Sequence, residues 1–213
     1  MDLHTILLIG HIIGVALGAG GATTSDFLFL SVLRNGRIEK AEFRLLKVAS
    51  GIVIAGLMLL TATGVGLVIL NGSVGHRFFA KMTIVLIAAV NGGLMHLKLF
   101  PLLRESAQKY QLFHLNGFAQ KLPGISVFGG VSAVSWYSAL VLGAWRNLSL
   151  GYAQILTGYT SLLLLAMLGV MITTRWLLRK NAPQLARPKR DRRYHKRSVA
   201  KAILHPASHT RVE

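Results

Sequence analysis

Five separate runs of apolar residues, each long enough to cross a bilayer, leave this 213-residue chain few ways to fold. They extend from Leu3 to about Leu33, Val48 to Leu70, Phe78 to Phe100, Gly124 to Trp145 and Tyr152 to Leu178. A helix needs roughly 20 such residues to traverse about 30 Å of hydrocarbon, and there it satisfies every backbone polar group internally. Strand alternation is absent from all five, so a β-barrel is not expected. Only 15% of the residues are charged and 53% are hydrophobic, a balance that excludes an ordinary water-soluble domain. The expected fold is therefore all-α, a polytopic membrane bundle of five transmembrane helices. The first run exceeds one perpendicular span and should tilt or continue into water.

Basic residues give the expected orientation. Of the 24 Lys and Arg, five lie between Arg34 and Lys47, four between Lys98 and Lys121, and twelve from Arg175 onward. The opposite side holds Arg77, Lys81 and Arg146 alone. The positive-inside rule then sets the N-terminus outside and the C-terminus in the cytoplasm, an arrangement that requires an odd number of spans. The expected location is the plasma (inner) membrane, crossed several times. Residues 1–180 form the transmembrane domain and residues 181–213 a basic cytoplasmic tail. Its sequence, RKNAPQLARPKRDRRYHKR from Arg179 onward, suits anionic lipid head groups, each charge contributing about 1 kcal/mol near the surface. No nucleic-acid recognition fold accompanies the charges, so lipid is the expected partner.

The first apolar run resembles a signal peptide followed by small residues, but MDLHT carries Asp2 where a basic segment is needed, so retention is expected. The chain has no cysteine, which removes disulfides, thiolate metal sites and covalent c-type haem attachment. The loop RNGRIEKAEF matches an EF-hand at Gly36, Ile38 and Glu42 but supplies Leu33 where a ligand is required. A turn leading into the second helix is expected there. After Pro101, residues Leu102 to Lys121 suggest an interfacial helix carrying Leu103, Tyr110, Phe113 and Phe118.

Within the first run Gly10, Gly14, Gly18, Ala22 and Asp26 recur every fourth residue and make one stripe of small side chains. Such a stripe admits a neighbouring helix at close range or, alternatively, a flat ring such as a porphyrin or quinone. His11 lies beside it, about 12 Å below the outer surface at 1.5 Å per residue. At similar depth the other runs bring Lys81, Thr61, Thr63, Tyr137, Ser138, Thr157, Tyr159 and Thr160. An unpaired polar ring in lipid is costly, so His11 should face this polar layer. It is then either a hydrogen-bonded structural histidine or an axial ligand to b-type haem. His4, His76 and His96 read as interfacial.

His11-Ile12-Ile13 with the small residues that follow, together with Arg77-Phe78-Phe79-Ala80-Lys81-Met82-Thr83-Ile84-Val85-Leu86, resembles the membrane-bound protoporphyrinogen oxidase family and the related copper-resistance D-type proteins. The resemblance covers the first three spans. It implies a haem-binding bundle with redox chemistry, in which His11 is the metal ligand and Arg77 and Lys81 hold propionates or an anionic substrate. Tyr137 or Tyr159 would supply a supporting hydrogen bond, and a membrane redox partner or a second copy of the chain would complete the system. Two further readings remain open. A small transporter or ion-conducting protein would use Asp26, His11, Lys81 and Asn91 as a polar path, and an assembly subunit would need only the glycine stripe and the tail.

Overall fold

Each apolar run becomes one long helix, because in a bilayer the backbone has no other partner for its amides. In the structure, a computed structural model, residues 2–35, 38–72, 74–109, 118–145 and 148–185 are described. The helices are α1 (Leu3–Asn35), α2 (Lys40–Asn71), α3 (His76–Lys109), α4 (Phe118–Ala144) and α5 (Tyr152–Leu185). All five are long and apolar enough to span a membrane, and no strand occurs among the described residues. The chain divides into two units, residues 1–179 and 180–213, the second described only from Lys180 to Leu185. The tail beyond Leu185 lies outside the described residues.

Large apolar side chains cover the outside of the bundle, among them Leu97 at 77%, Ile69 at 74% and Phe27 at 69% exposure. A water-soluble protein does not present apolar surface on every helix. The chain is a multi-pass membrane protein.

The helices outrun their apolar runs. Helix α2 begins at Lys40, eight residues before the apolar stretch. The Glu39 backbone N–H donates to the Glu42 carboxylate at 2.8 Å, so Glu42 closes the start of a helix, as the turn reading expected. Helix α3 runs through Pro101 to Lys109. Leu102 to Lys109 therefore continue α3 instead of opening a separate interfacial helix, while residues 110–117 of the expected segment lie outside the described residues. Leu103, 1% exposed, packs with Phe29, Leu99 and Leu122 in an apolar core, and Phe118 opens α4. Pro101 fails to stop α3 because burial of Leu99 and Leu103 on either side of it outweighs one missing hydrogen bond. Tyr110 and Phe113, like Gly36 of the tested loop, lie outside the described residues.

Successive helices alternate in direction, and their contacts fix a common register. At one end His11, Thr63, Lys81 and Gly143 share a level; at the other, Asp26, Ser50, His96 and Gly129 do. Between them, Ala80, Ile84, Trp136, Ala139 and Tyr159 form a second core cluster.

The tightest packing is between α1 and α2. A Cβ placed on Gly14 would lie 2.8 Å from the Leu60 backbone nitrogen, and one on Gly56 would lie 2.9 Å from the Gly14 oxygen. On Gly21 it would lie 3.1 Å from the Ala49 oxygen. These glycines let the two backbones touch, which is how helices associate where lipid removes the hydrophobic drive. Gly56→Leu should therefore lower detergent stability by about 1–3 kcal/mol through forced separation of α1 and α2. Gly51→Ala, whose new Cβ meets nothing within 4 Å, should leave the thermal midpoint unchanged or slightly raised. Equal effects from both would mean that the glycine contacts do not hold the pair together.

Candidate functional site

A bundle interior in lipid holds polar side chains only where they find partners, so each inward polar group identifies its neighbours. Two such groups stand at opposite ends of the four-helix interior.

The first is built on His11. Its Nδ1 lies 3.2 Å from the Thr63 hydroxyl, and its Nε2 lies 3.4 Å from the Lys81 ammonium. Thr63 already donates its proton to the Leu59 carbonyl at 2.6 Å. Its oxygen can then only accept, so His11 must carry its proton on Nδ1. That leaves the Nε2 lone pair to accept from Lys81. Gly64 makes room for the ring: a Cβ there would lie 3.3 Å from His11 Cε1. Gly143 does the same for Lys81, at 3.4 Å from Nζ.

Of the residues expected to join His11, the structure brings Thr63 and Lys81 to it. Arg77 instead donates from Nη1 to the Trp145 carbonyl at 2.8 Å. Tyr137, half exposed, donates to Thr23 at 3.0 Å, since Thr23 gives its own proton to the Ala19 carbonyl. Tyr159 donates to Ser135 at 2.9 Å for the same reason, Ser135 being committed to the Val131 carbonyl. Thr61, Thr157 and Thr160 are exposed and bond back to carbonyls of their own helices. The polar layer of the sequence thus resolves into local pairs.

The flat object opposite the glycine stripe is a side chain of the protein itself. The indole of Trp136 sits directly on Gly18, where any Cβ would collide with the ring. Trp136 is 6% exposed and closes the space between the His11 group and the opposite end of the bundle.

The second group surrounds a cavity of about 240 Å³ bounded by α1, α2, α3 and α4. Trp136 forms one wall. The polar lining is Ser25 and Asp26 of α1, Ser50 of α2, Asn91 and His96 of α3, and Ser132 of α4. Three of these are mutually tied or anchored. Ser50 Oγ lies 2.6 Å from His96 Nε2, the His96 ring stacks on Phe100 at 4.5 Å, and Asn91 donates from Nδ2 to the Phe128 carbonyl at 2.9 Å. Two are not. The Ser25 hydroxyl is buried with no hydrogen-bond partner, and no described residue pairs with Asp26. Asp26 is accommodated by Gly129, whose Cβ would lie 3.5 Å from Oδ1. No group of three or more His, Cys, Asp or Glu capable of holding a metal occurs among the described residues.

Sequence reasoning singled out Asp26 and Asn91, read His96 as interfacial without a partner, and left Ser50 unnoticed. The available clue was the match in level between Ser25, Ser50 and His96 on alternating helices. Fold and site together define a small polytopic bundle with a mostly apolar cavity, bearing one carboxylate, between four of its helices. No family model, curated protein or solved structure matches the chain.

The hydrogen-bond logic at His11 is directly measurable. Nitrogen NMR of ring-labelled histidine in micelles should show His11 protonated at Nδ1. Thr63→Val should abolish that preference and lower stability by about 1–3 kcal/mol, the penalty for a stranded N–H. An Nε2-protonated ring in the unaltered protein would refute the assignment.

Proposed function

We propose that the protein is a small membrane transport protein in which Asp26 binds and releases charge inside the four-helix cavity. One observation carries the reading: a carboxylate within the first membrane-spanning helix lines the interior cavity, with no cation among the described residues beside it. Ionisable groups kept in that position by a membrane protein commonly mark the route of an ion or solute, since burying them otherwise only destabilises. The His11, Thr63 and Lys81 group supports the same reading. It provides a second station with exchangeable protons, fifteen residues or about 22 Å along α1 from Asp26.

The side of the membrane follows from charge. With the Arg34 to Lys47 segment in the cytoplasm, the Asp26 cavity lies toward the inside and His11 toward the outside of an inner (plasma) membrane. Because the chain has no cysteine, single introduced cysteines report this cleanly. In whole cells Val74→Cys should react with a membrane-impermeant maleimide and Glu39→Cys should not; the reverse pattern would invert the topology.

A b-type haem at His11 is the second reading, and inward orientation of the ring favours it. As arranged, however, the residues do not fit a haem. Nε2 accepts from Lys81, Arg77 is engaged with Trp145, and the Gly18 notch is filled by Trp136. Absorption spectra of the purified protein from haem-supplied cells, with and without dithionite, separate the readings. A Soret band lost in His11→Ala would favour haem.

Transport is tested in liposomes loaded with a pH-sensitive dye and given a proton gradient. The protein should collapse the gradient faster than protein-free vesicles. Asp26→Asn should slow that by tenfold or more, and His11→Ala by less. Decay no faster than in empty vesicles would overturn the proton-carrying role of Asp26.

A further inference from the structure

The cavity also specifies what it can hold. We infer that it binds a small primary organic ammonium ion, its charged end on Asp26 and its apolar body against Trp136, Phe29 and Phe100. The inference deepens the transport reading and rests on that reading for the claim that the bound ion moves.

Charge sets the sign of the ligand. An ionised carboxylate away from water needs an opposite charge within a few ångströms, and no described residue of the chain supplies one to Asp26. Lys81 is committed to the His11 level, beyond Trp136. An anion would be repelled. A proton would neutralise Asp26 but leave the Ser25 hydroxyl stranded and the space unfilled.

Hydrogen bonding sets the head group. An ammonium has three N–H donors and no acceptor. The lining residues carry acceptors: the Asp26 carboxylate, the buried Ser25 oxygen that lacks any partner, and the Asn91 amide oxygen, one of whose two N–H groups is taken by the Phe128 carbonyl. A divalent metal fits poorly, since calcium takes 6–8 oxygen ligands and the lining offers one carboxylate.

Size and wall chemistry set the body. A dry apolar cavity of about 150 Å³ is enough for benzene, so about 240 Å³ admits a ring or short alkyl group bearing an ammonium. Most of the wall is aliphatic or aromatic, and indole and phenyl faces attract a cation by their quadrupoles.

The test uses the full chain in detergent and isothermal titration with ethylammonium through benzylammonium, beside benzyl alcohol as a neutral match. Benzylammonium should bind at least tenfold more tightly than benzyl alcohol, and Asp26→Asn should bring the two together. Gly92→Leu gives a second variant that does not depend on the carboxylate. A Cβ on Gly92 meets nothing within 4 Å, so this side chain should enter the cavity, leave the thermal midpoint intact and abolish ammonium binding. No binding by any ammonium, equal binding of the alcohol, or binding retained in Gly92→Leu would overturn the inference. Proton flux without ammonium binding would sink this proposal alone. Ammonium binding with no movement of either protons or benzylammonium across the liposome membrane would sustain the site and remove the transport reading.

Discussion

Backbone contact between α1 and α2 is the constraint on which the rest depends. Lipid gives apolar helices no reason to prefer each other over acyl chains, so close approach must supply the attraction through dispersion and aligned dipoles. Gly14 against Leu60, Gly18 against Gly56 and Gly21 against Val53 supply it at three successive levels. Each step forward along α1 is matched by a step back along α2. The same register carries His11 to Thr63 at one end and Ser25 with Asp26 to the level of Ser50 at the other. Neither polar group would exist with α2 shifted by one turn.

Trp136 converts this paired scaffold into two compartments. Its ring rests on Gly18, midway between His11 and Asp26 on the same helix, and it forms a wall of the cavity. Direct polar continuity between the two groups is therefore blocked by an indole. In the transport reading this is an advantage, since a continuous polar column would leak.

The elements were legible because apolar length is a property of the chain alone. The sites were legible only in part because they depend on which side chains meet. Gly18 and Gly14 are alike in sequence, yet a side chain on Gly18 would meet the Trp136 indole and one on Gly14 the Leu60 backbone, a distinction set by α4 and α2. Thr61 and Thr63 lie two residues apart, but only Thr63 faces α1; Thr61 satisfies itself on its own helix. For His96 the missing information was its partner: its position near the end of an apolar run says nothing of the Ser50 hydroxyl that α2 brings to its ring. Ser50 was hidden because α2 starts at Lys40. Polar residues that begin and end these helices blur the boundary from which depth is measured.

The cavity is sustained by residue choice rather than by failure to pack. Beside Asn91, Met95, His96 and Phe100, α3 contributes Ala88, Ala89, Gly92 and Gly93 to the wall, so the helix turns four small residues toward the space. Left dry, a void of this size would cost about 6 kcal/mol on the scale of about 24 cal/mol per Å³ found for emptied cores. A Cβ on Gly92 would meet nothing within 4 Å, so a larger side chain could start into the space there. Unlike a glycine that admits a neighbouring backbone, Gly92 has no structural partner to accommodate. A chain that keeps Gly92 open beside a carboxylate with no counter-charge among the described residues and a hydroxyl without a partner has arranged three deficits in one place. A single cationic guest of the right size offsets all three, which neither water nor a proton does.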